Sequence, residues 1–259
     1  MTLRIQNRRL EHRWIPGDAA APTLVFLHEG LGSVSLWRDF PDKVAAGTGC
    51  PVLIYGRAGH GHSDPADGPR GVDYQHREAL DILPQVLDHF RIHEPILIGH
   101  SDGASIALIH AGGSGRPVRG LILEAPHVFV EEETLAGIRT AVEVWNASDL
   151  PERLARHHDD AGALFDAWSG IWLSPEFRPW NIEEYLPGIA APVLVIQGED
   201  DEYATLAQVD AIARRVSGPA ETLVLPNCRH SPHRDQQQTV LRAMVNFIRR
   251  LMRSDAPAA

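Results

Sequence analysis

Six short apolar runs punctuate the chain, each closed by glycine, proline or a polar turn: TLVFLH (23–28), PVLIYG (51–56), PILIGH (95–100), RGLILEAP (119–126), PVLVIQG (192–198) and ETLVLPN (221–227). Several are apolar throughout instead of alternating. Strands read that way when both faces of a parallel sheet are covered by helices. Between the runs, apolar residues recur at three- and four-residue spacing, the period of a helix that buries one face. Residues 36–46 carry Leu36, Trp37, Phe40 and Val44, and residues 75–90 carry Leu80, Leu83, Val86, Leu87 and Phe90, with Pro84 as a kink or boundary. Residues 102–111 are small and apolar, 205–216 follow Thr205 as a cap, and 235–252 repeat Val240, Met244, Ile248 and Leu251 on one face. Strand alternating with helix predicts an open α/β fold with a mostly parallel central sheet. Residues 3–15 (LRIQNRRLEHRWI) add one or two edge strands or a hairpin, and the tail SDAPAA reads as frayed.

From Phe129 to Leu186 the alternation stops. This stretch shows helical patches and turns but no convincing strand, and it holds Trp145, Trp168, Trp172 and Trp180. A helical insert between two sheet strands reads as a lid, so the chain divides into a core of residues 1–128 and 187–259 and a helical cap of residues 129–186. The tryptophans fit either a lid wall facing a pocket or the insert's own core.

Composition narrows the function. The chain has 259 residues, long for one domain but within the reach of an undivided α/β fold. Lys+Arg is 24 and Asp+Glu is 34, so the formal charge is 24 − 34 = −10. That disfavours a nucleic-acid binder and gives an anionic membrane nothing to attract. Cys50 and Cys228 form neither a CxxC pair nor a metal-ligand spacing, which leaves a disulfide between them open but not a disulfide framework. The pairs His60/His62 and His157/His158 lack an H-E-x-x-H frame, so no metal and no other cofactor is expected. No apolar h-region follows the first residues, and no run approaches the ~20 residues of a membrane span. The expectation is a soluble, cytoplasmic protein, monomer or homodimer, whose partner is a small-molecule substrate, with no nucleic acid and no membrane.

The chemistry concentrates in a few turns. Gly99-His100-Ser101-Asp102-Gly103 is Gly-x-Ser-x-Gly between an apolar strand and a small-residue helix. Such an elbow strains the backbone to lift the serine above the sheet, and its glycines let strand and helix approach without a Cβ clash. The following N–H, that of Asp102, points at a developing oxyanion beside a helix N-terminus. A serine hydroxyl needs a base held by a third group. The strand PVLVIQG leads into Glu199-Asp200-Asp201-Glu202, where Asp201 is the candidate acid and Asp200 and Glu199 the alternatives. After the last strand, NCRHSPH offers His230 as the base and His233 as runner-up. A second oxyanion donor is expected from His28-Glu29-Gly30-Leu31-Gly32-Ser33, at Gly30 or Leu31. Glu29 would oppose catalysis there unless it points away or pairs with a cation.

With these residues in place the chain resembles the α/β-hydrolase superfamily over about residues 22–252, most of all small capped members: meta-cleavage-product hydrolases, 3-oxoadipate enol-lactonases, haloperoxidase-like proteins and related esterases. The resemblance implies an α/β-hydrolase fold with a helical cap before the later strands. It matches the elbow serine to Ser101, the acid of a Gly-x-x-Asp turn to Asp201 through Gly198, and the final histidine to His230. It also makes the turn Gly56–Ser63 mainly structural. The chain departs from the pattern at the HEGLGS loop, at Arg229 before the histidine, and at His100 where many carbon–carbon hydrolases have asparagine. The expected activity is carboxylic ester or lactone hydrolysis of a small to medium, largely apolar substrate through an acyl-enzyme. The alternatives are carbon–carbon hydrolysis of a vinylogous diketone and a non-catalytic, ligand-binding role. Arg153, Arg156 and Arg178 are candidates for steering a substrate carboxylate.

Overall fold

The computed structural model describes residues 2–253, and the SDAPAA tail lies outside the described residues. All six apolar runs are strands. After a hairpin of β1 (Leu3–Ile5) and β2 (Arg8–Leu10) and an edge strand β3 (His12–Ile15) come β4 (Leu24–Leu27), β5 (Val52–Tyr55), β6 (Ile96–His100), β7 (Gly120–Glu124), β8 (Val193–Gly198) and β9 (Ala220–Leu225). The seven-stranded sheet has the order β3-β5-β4-β6-β7-β8-β9. Only β3 runs antiparallel to its neighbour, in register His12↔Tyr55 to Ile15↔Val52. The rest pair in parallel, with Ile98 opposite both Phe26 and Ile122.

The uniform hydrophobicity of the strands has a direct cause. Alternate residues of each strand belong to two different cores. Val25, Leu27, Leu97, Leu121, Leu123 and Val195 face one side of the sheet. Leu24, Phe26, Ile96, Ile98, Ile122 and Ile196 face the other, under the C-terminal helix Gln237–Arg253. Both faces are therefore dry, as parallel sheets require.

Helices fill the connections nearly as the spacing predicts, with two differences. The 36–46 segment is broken into a 3₁₀ turn, Ser35–Trp37, and a helix, Phe40–Thr48. Pro41 stands in the first turn of that helix, and a proline without an N–H is tolerated there but not further in. The 75–90 segment loses its regularity one turn ahead of Pro84, in a π turn at Glu78–Ile82. The Thr205 cap is present, with its side chain accepting from the Ala207 N–H; such caps contribute about 1 kcal/mol.

Between β7 and β8 the chain is helical: Glu132–Ala147, Leu150–Leu154 and Ala161–Leu173, then two 3₁₀ turns. An isolated bridge between Phe129 and Asn181 closes the base of this excursion. Trp145 stacks on Phe165, and Trp180 on Phe177, as the excursion's own core. No helix of the described residues is long and apolar enough to cross a membrane.

Candidate active site

The sheet's parallel order brings the ends of β4, β6, β7, β8 and the loop after β9 to one edge. Ser101 follows β6 with φ 53° and ψ −117°, a conformation that costs a non-glycine residue about 1–3 kcal/mol. Its N–H is held by the Glu124 carbonyl at 2.9 Å. The glycines around it are sterically required. A Cβ on Gly99 would meet the Gly103 carbonyl oxygen at 2.4 Å, and one on Gly103 would meet the Leu27 carbonyl oxygen at 2.0 Å. Strand, elbow and helix thus pack backbone to backbone, and a side chain at either position would force them apart.

Ser101 opens into a cavity of about 240 Å³ shared with His230, Asp102, Gly30 and Leu31. Asp201 does not line it. Its fully buried carboxylate receives His230 Nδ1–H at 2.8 and 2.9 Å and the Tyr203 N–H at 2.9 Å. Burial alone would raise the Asp201 pKa, but the His230 charge and these bonds hold it below the usual value. The other acids of the turn diverge: Glu199 and Asp200 are exposed, while Glu202 lines the cavity, pairs with Arg229 at 3.0 Å and accepts the His230 N–H at 3.2 Å. Among the described residues no hydrogen bond joins Ser101 Oγ to His230. His233 is set aside by geometry, since its N–H and ring Nδ1–H are bound to buried Glu124 at 2.9 and 3.1 Å.

The loop after β4 makes a turn closed by Gly32 N–H to the Glu29 carbonyl at 3.0 Å. Its two central N–H groups, of Gly30 and Leu31, and that of Asp102 donate to no protein acceptor among the described residues. Arg57 holds the turn from behind, donating to the carbonyls of His28 at 2.6 Å and Glu29 at 3.0 Å. His28, bound at both ring nitrogens, is a buried part of this support. From the excursion, His158 donates to the Leu31 carbonyl at 3.0 Å.

Glu29 faces an imidazole that becomes a cation when protonated. Its carboxylate lies 3.5 Å from His100 Nδ1, while His100 Nε2–H donates to the His230 carbonyl at 2.7 Å. Burial would lower the His100 pKa, but Glu29, with Glu124 behind it, raises it above the ordinary value. Burial would raise that of Glu29, and His100 instead holds it well below the usual carboxylate range.

Asp102 is the elbow's other charged neighbour, and its side chain is almost wholly buried. Tyr74 O–H donates to it at 2.9 Å and Gln75 at 3.2 Å, and guanidinium nitrogens of Arg57 and Arg70 lie 3.8 and 3.9 Å away. Trp172 donates in turn to the Tyr74 hydroxyl at 3.1 Å. Nothing in the local sequence signals this cluster, because its members come from four segments distant in the chain.

Of the four tryptophans, Trp168 and Trp172 reach the cavity, joined by Ile138, Thr134 and Tyr203. A Cβ on Gly30 would strike Trp168 at 2.5 Å, so glycine there also makes room for the excursion. His127 is a further lining residue that motif reasoning missed. It offers one ring nitrogen to the Tyr203 carbonyl at 3.2 Å, and burial and the nearby His230 lower its pKa. Arg153, Arg156 and Arg178 are exposed and none lines the cavity, which removes them as steering groups. Cys50 and Cys228 are free, buried thiols.

The alpha/beta hydrolase family profile matches residues 24–243. Among curated relatives, a serine hydrolase, BPHL, of Mus musculus is 25% identical over 70% of this chain, which spans only 64% of that relative's length. The 2-succinyl-6-hydroxy-2,4-cyclohexadiene-1-carboxylate synthase of Salmonella paratyphi C is 23% identical, covering 93% of this chain and 99% of its own. The crystal structure of an enol-lactonase from Burkholderia xenovorans LB400 superposes with a TM-score of 0.75 at 19% identity, over 96% of this chain and 100% of the other, a likeness of fold.

Proposed function

As this chain belongs to the alpha/beta hydrolase family, we propose that it is a serine hydrolase of small to medium, largely apolar carbonyl compounds. Ser101 is the nucleophile, His230 the base and Asp201 the group that orients it. The N–H groups of Asp102 and of Gly30 or Leu31 form the oxyanion hole. Residues 129–186 act as the lid over a core of residues 1–128 and 187–259. The observation that carries this reading is the two-point bond from His230 to buried Asp201, with the other ring edge free and the strained Ser101 on the same cavity.

In the proposed cycle Ser101 Oγ attacks the carbonyl while His230 Nε2 takes its proton. The free N–H groups receive the oxyanion, His230 passes the proton to the leaving group, and water repeats the sequence on the acyl-enzyme. The bond between Ser101 and His230 forms when substrate fixes the serine rotamer; such contacts are often long before binding. His230 donates Nδ1–H to Asp201, so Nε2 is the free acceptor, as the role demands.

Two bonds fit this apparatus. Ester or lactone cleavage uses it directly, with an alcohol as leaving group. Carbon–carbon cleavage of a vinylogous diketone uses the same oxyanion hole and base but returns the proton to carbon. The Salmonella relative, named as a synthase of a cyclohexadiene carboxylate and not as an esterase, supports considering carbon–carbon chemistry, while the Mus musculus relative is named only as a serine hydrolase. A fluorophosphonate probe tests the common premise: it labels Ser101, and Ser101→Ala abolishes labelling. A folded protein that resists the probe is a binder and not a serine hydrolase. Relative turnover of an aryl ester and a vinylogous diketone then separates the two bonds.

A further inference from the structure

The charge on the cavity wall bears on which substrates enter it. Its acidic lining residues are Glu29, Asp102 and Glu202, and among the described residues no lysine or arginine lines it. The nearby guanidinium groups are committed elsewhere. Arg57 is spent on the His28 and Glu29 carbonyls and on Asp102. Arg70 donates to His60 at 2.9 Å and faces Asp102. Arg229, largely exposed, reaches Glu202 from outside. His100 is almost wholly buried between Glu29 and the His230 carbonyl. An entering carboxylate would find two carboxylates, Glu29 and Glu202, and the basic groups beside them, His100 and Arg229, already face these same two carboxylates. Desolvating a charge without a partner is costly, and like charges in a narrow site add to that cost.

We propose that this site takes uncharged or cationic carbonyl compounds and rejects anionic ones, with Glu202 and Glu29 as the residues that set this preference. The inference rests on the serine-hydrolase reading for what the cavity does, but not for how its charge is tested. Glu202 lines the cavity beside His230, whose N–H it accepts, and its side chain is about a third exposed. Glu29 sits on the turn with the free N–H groups and sets the potential near the reacting carbon. Trp168, Trp172, Ile138 and Leu31 supply the apolar part of the wall, beside the uncharged Thr134, Tyr203 and Ser231, so charge, and not shape alone, discriminates among substrates of equal length.

The test uses three aryl ketones of matched length ending in a methyl, a carboxylate or a trimethylammonium group. Binding to the purified protein is read by quenching of tryptophan fluorescence, to which Trp168 and Trp172 of the wall contribute. Because ketones of this kind need no turnover, the result stands whether or not Ser101 is the nucleophile. The carboxylate ketone is expected to bind at least about tenfold more weakly than the methyl ketone, with the trimethylammonium ketone equal to or tighter than it. Glu202→Gln and Glu29→Gln are each expected to narrow the gap between carboxylate and methyl. Equal or tighter binding of the carboxylate overturns the proposal, as does a gap that neither variant changes. Loss of Ser101 labelling, by contrast, overturns the catalytic reading and leaves the charge preference standing.

Discussion

The two sequence neighbours of Ser101 lead into differently built charge clusters. On one side Asp102 turns into the protein and meets Arg57, Arg70, Tyr74 and Gln75. On the other, His100 meets Glu29, whose side chain is about a quarter exposed to the cavity. In the first cluster the anion is buried and its compensation is a guanidinium, which does not titrate in the physiological range. In the second the cation is an imidazole, which does. The first is a fixed support for the turn that carries the free N–H groups; the second ties that turn to the His230 loop with a strength that depends on pH.

Breaking the fixed cluster is expected to have the largest effect. Arg57→Met leaves Asp102 short of a charge partner and frees two carbonyls, and should cost about 3–5 kcal/mol in urea unfolding, nearly constant between pH 5.5 and 8.5. Tyr74→Phe removes a donor to a buried carboxylate and the acceptor for Trp172, and should cost about 1.5–3 kcal/mol, again without pH dependence over that range. If either loss varied strongly across that range, the distinction between the clusters would fail.

The titratable cluster should give the smallest effect and the clearest pH signature. The His100 pKa is raised on folding, so its contribution is complete below about its ordinary 6.5 and is lost as pH rises through the folded value. That of Glu29 is lowered, so its contribution is complete above about 4.5 and is lost as pH falls further. The pair is therefore fully effective between these two values. Glu29→Gln should cost about 1 kcal/mol at pH 5.5 and progressively less as pH rises through the His100 value. A cost that stays flat to pH 9 would show that the pair is not an ion pair.

These clusters also mark where sequence reasoning stopped. The elbow was readable because its glycines, strand and helix are adjacent in the chain, and the structure gives each glycine a backbone contact that excludes a side chain. Asp201 could be ranked above its neighbours because a turn needs two residues before a carboxylate points back. Glu202, on the same turn, could not be assigned, since its place on the cavity wall depends on the loop after β9. His127 and the Arg57–Asp102 contact carried no signal at all, because each joins segments distant in sequence. The division of the tryptophans into two cavity residues and two core residues was equally unreadable, as helical spacing does not say what a face packs against.

Sequence alone determined the alternation of strand and helix, the buried character of the sheet and the turns on which Ser101, Asp201 and His230 stand. These follow from local periodicity, from the backbone freedom of glycine and proline's missing donor, and from the polar punctuation of loops, all readable within a few residues. Tertiary structure alone decided which charges face the cavity and which are spent behind it. Arg57 and Arg70 read as cations in the chain, yet their charge is consumed by Asp102 and by backbone carbonyls. An ion's effect depends on distance and desolvation, and neither exists until remote segments are packed together.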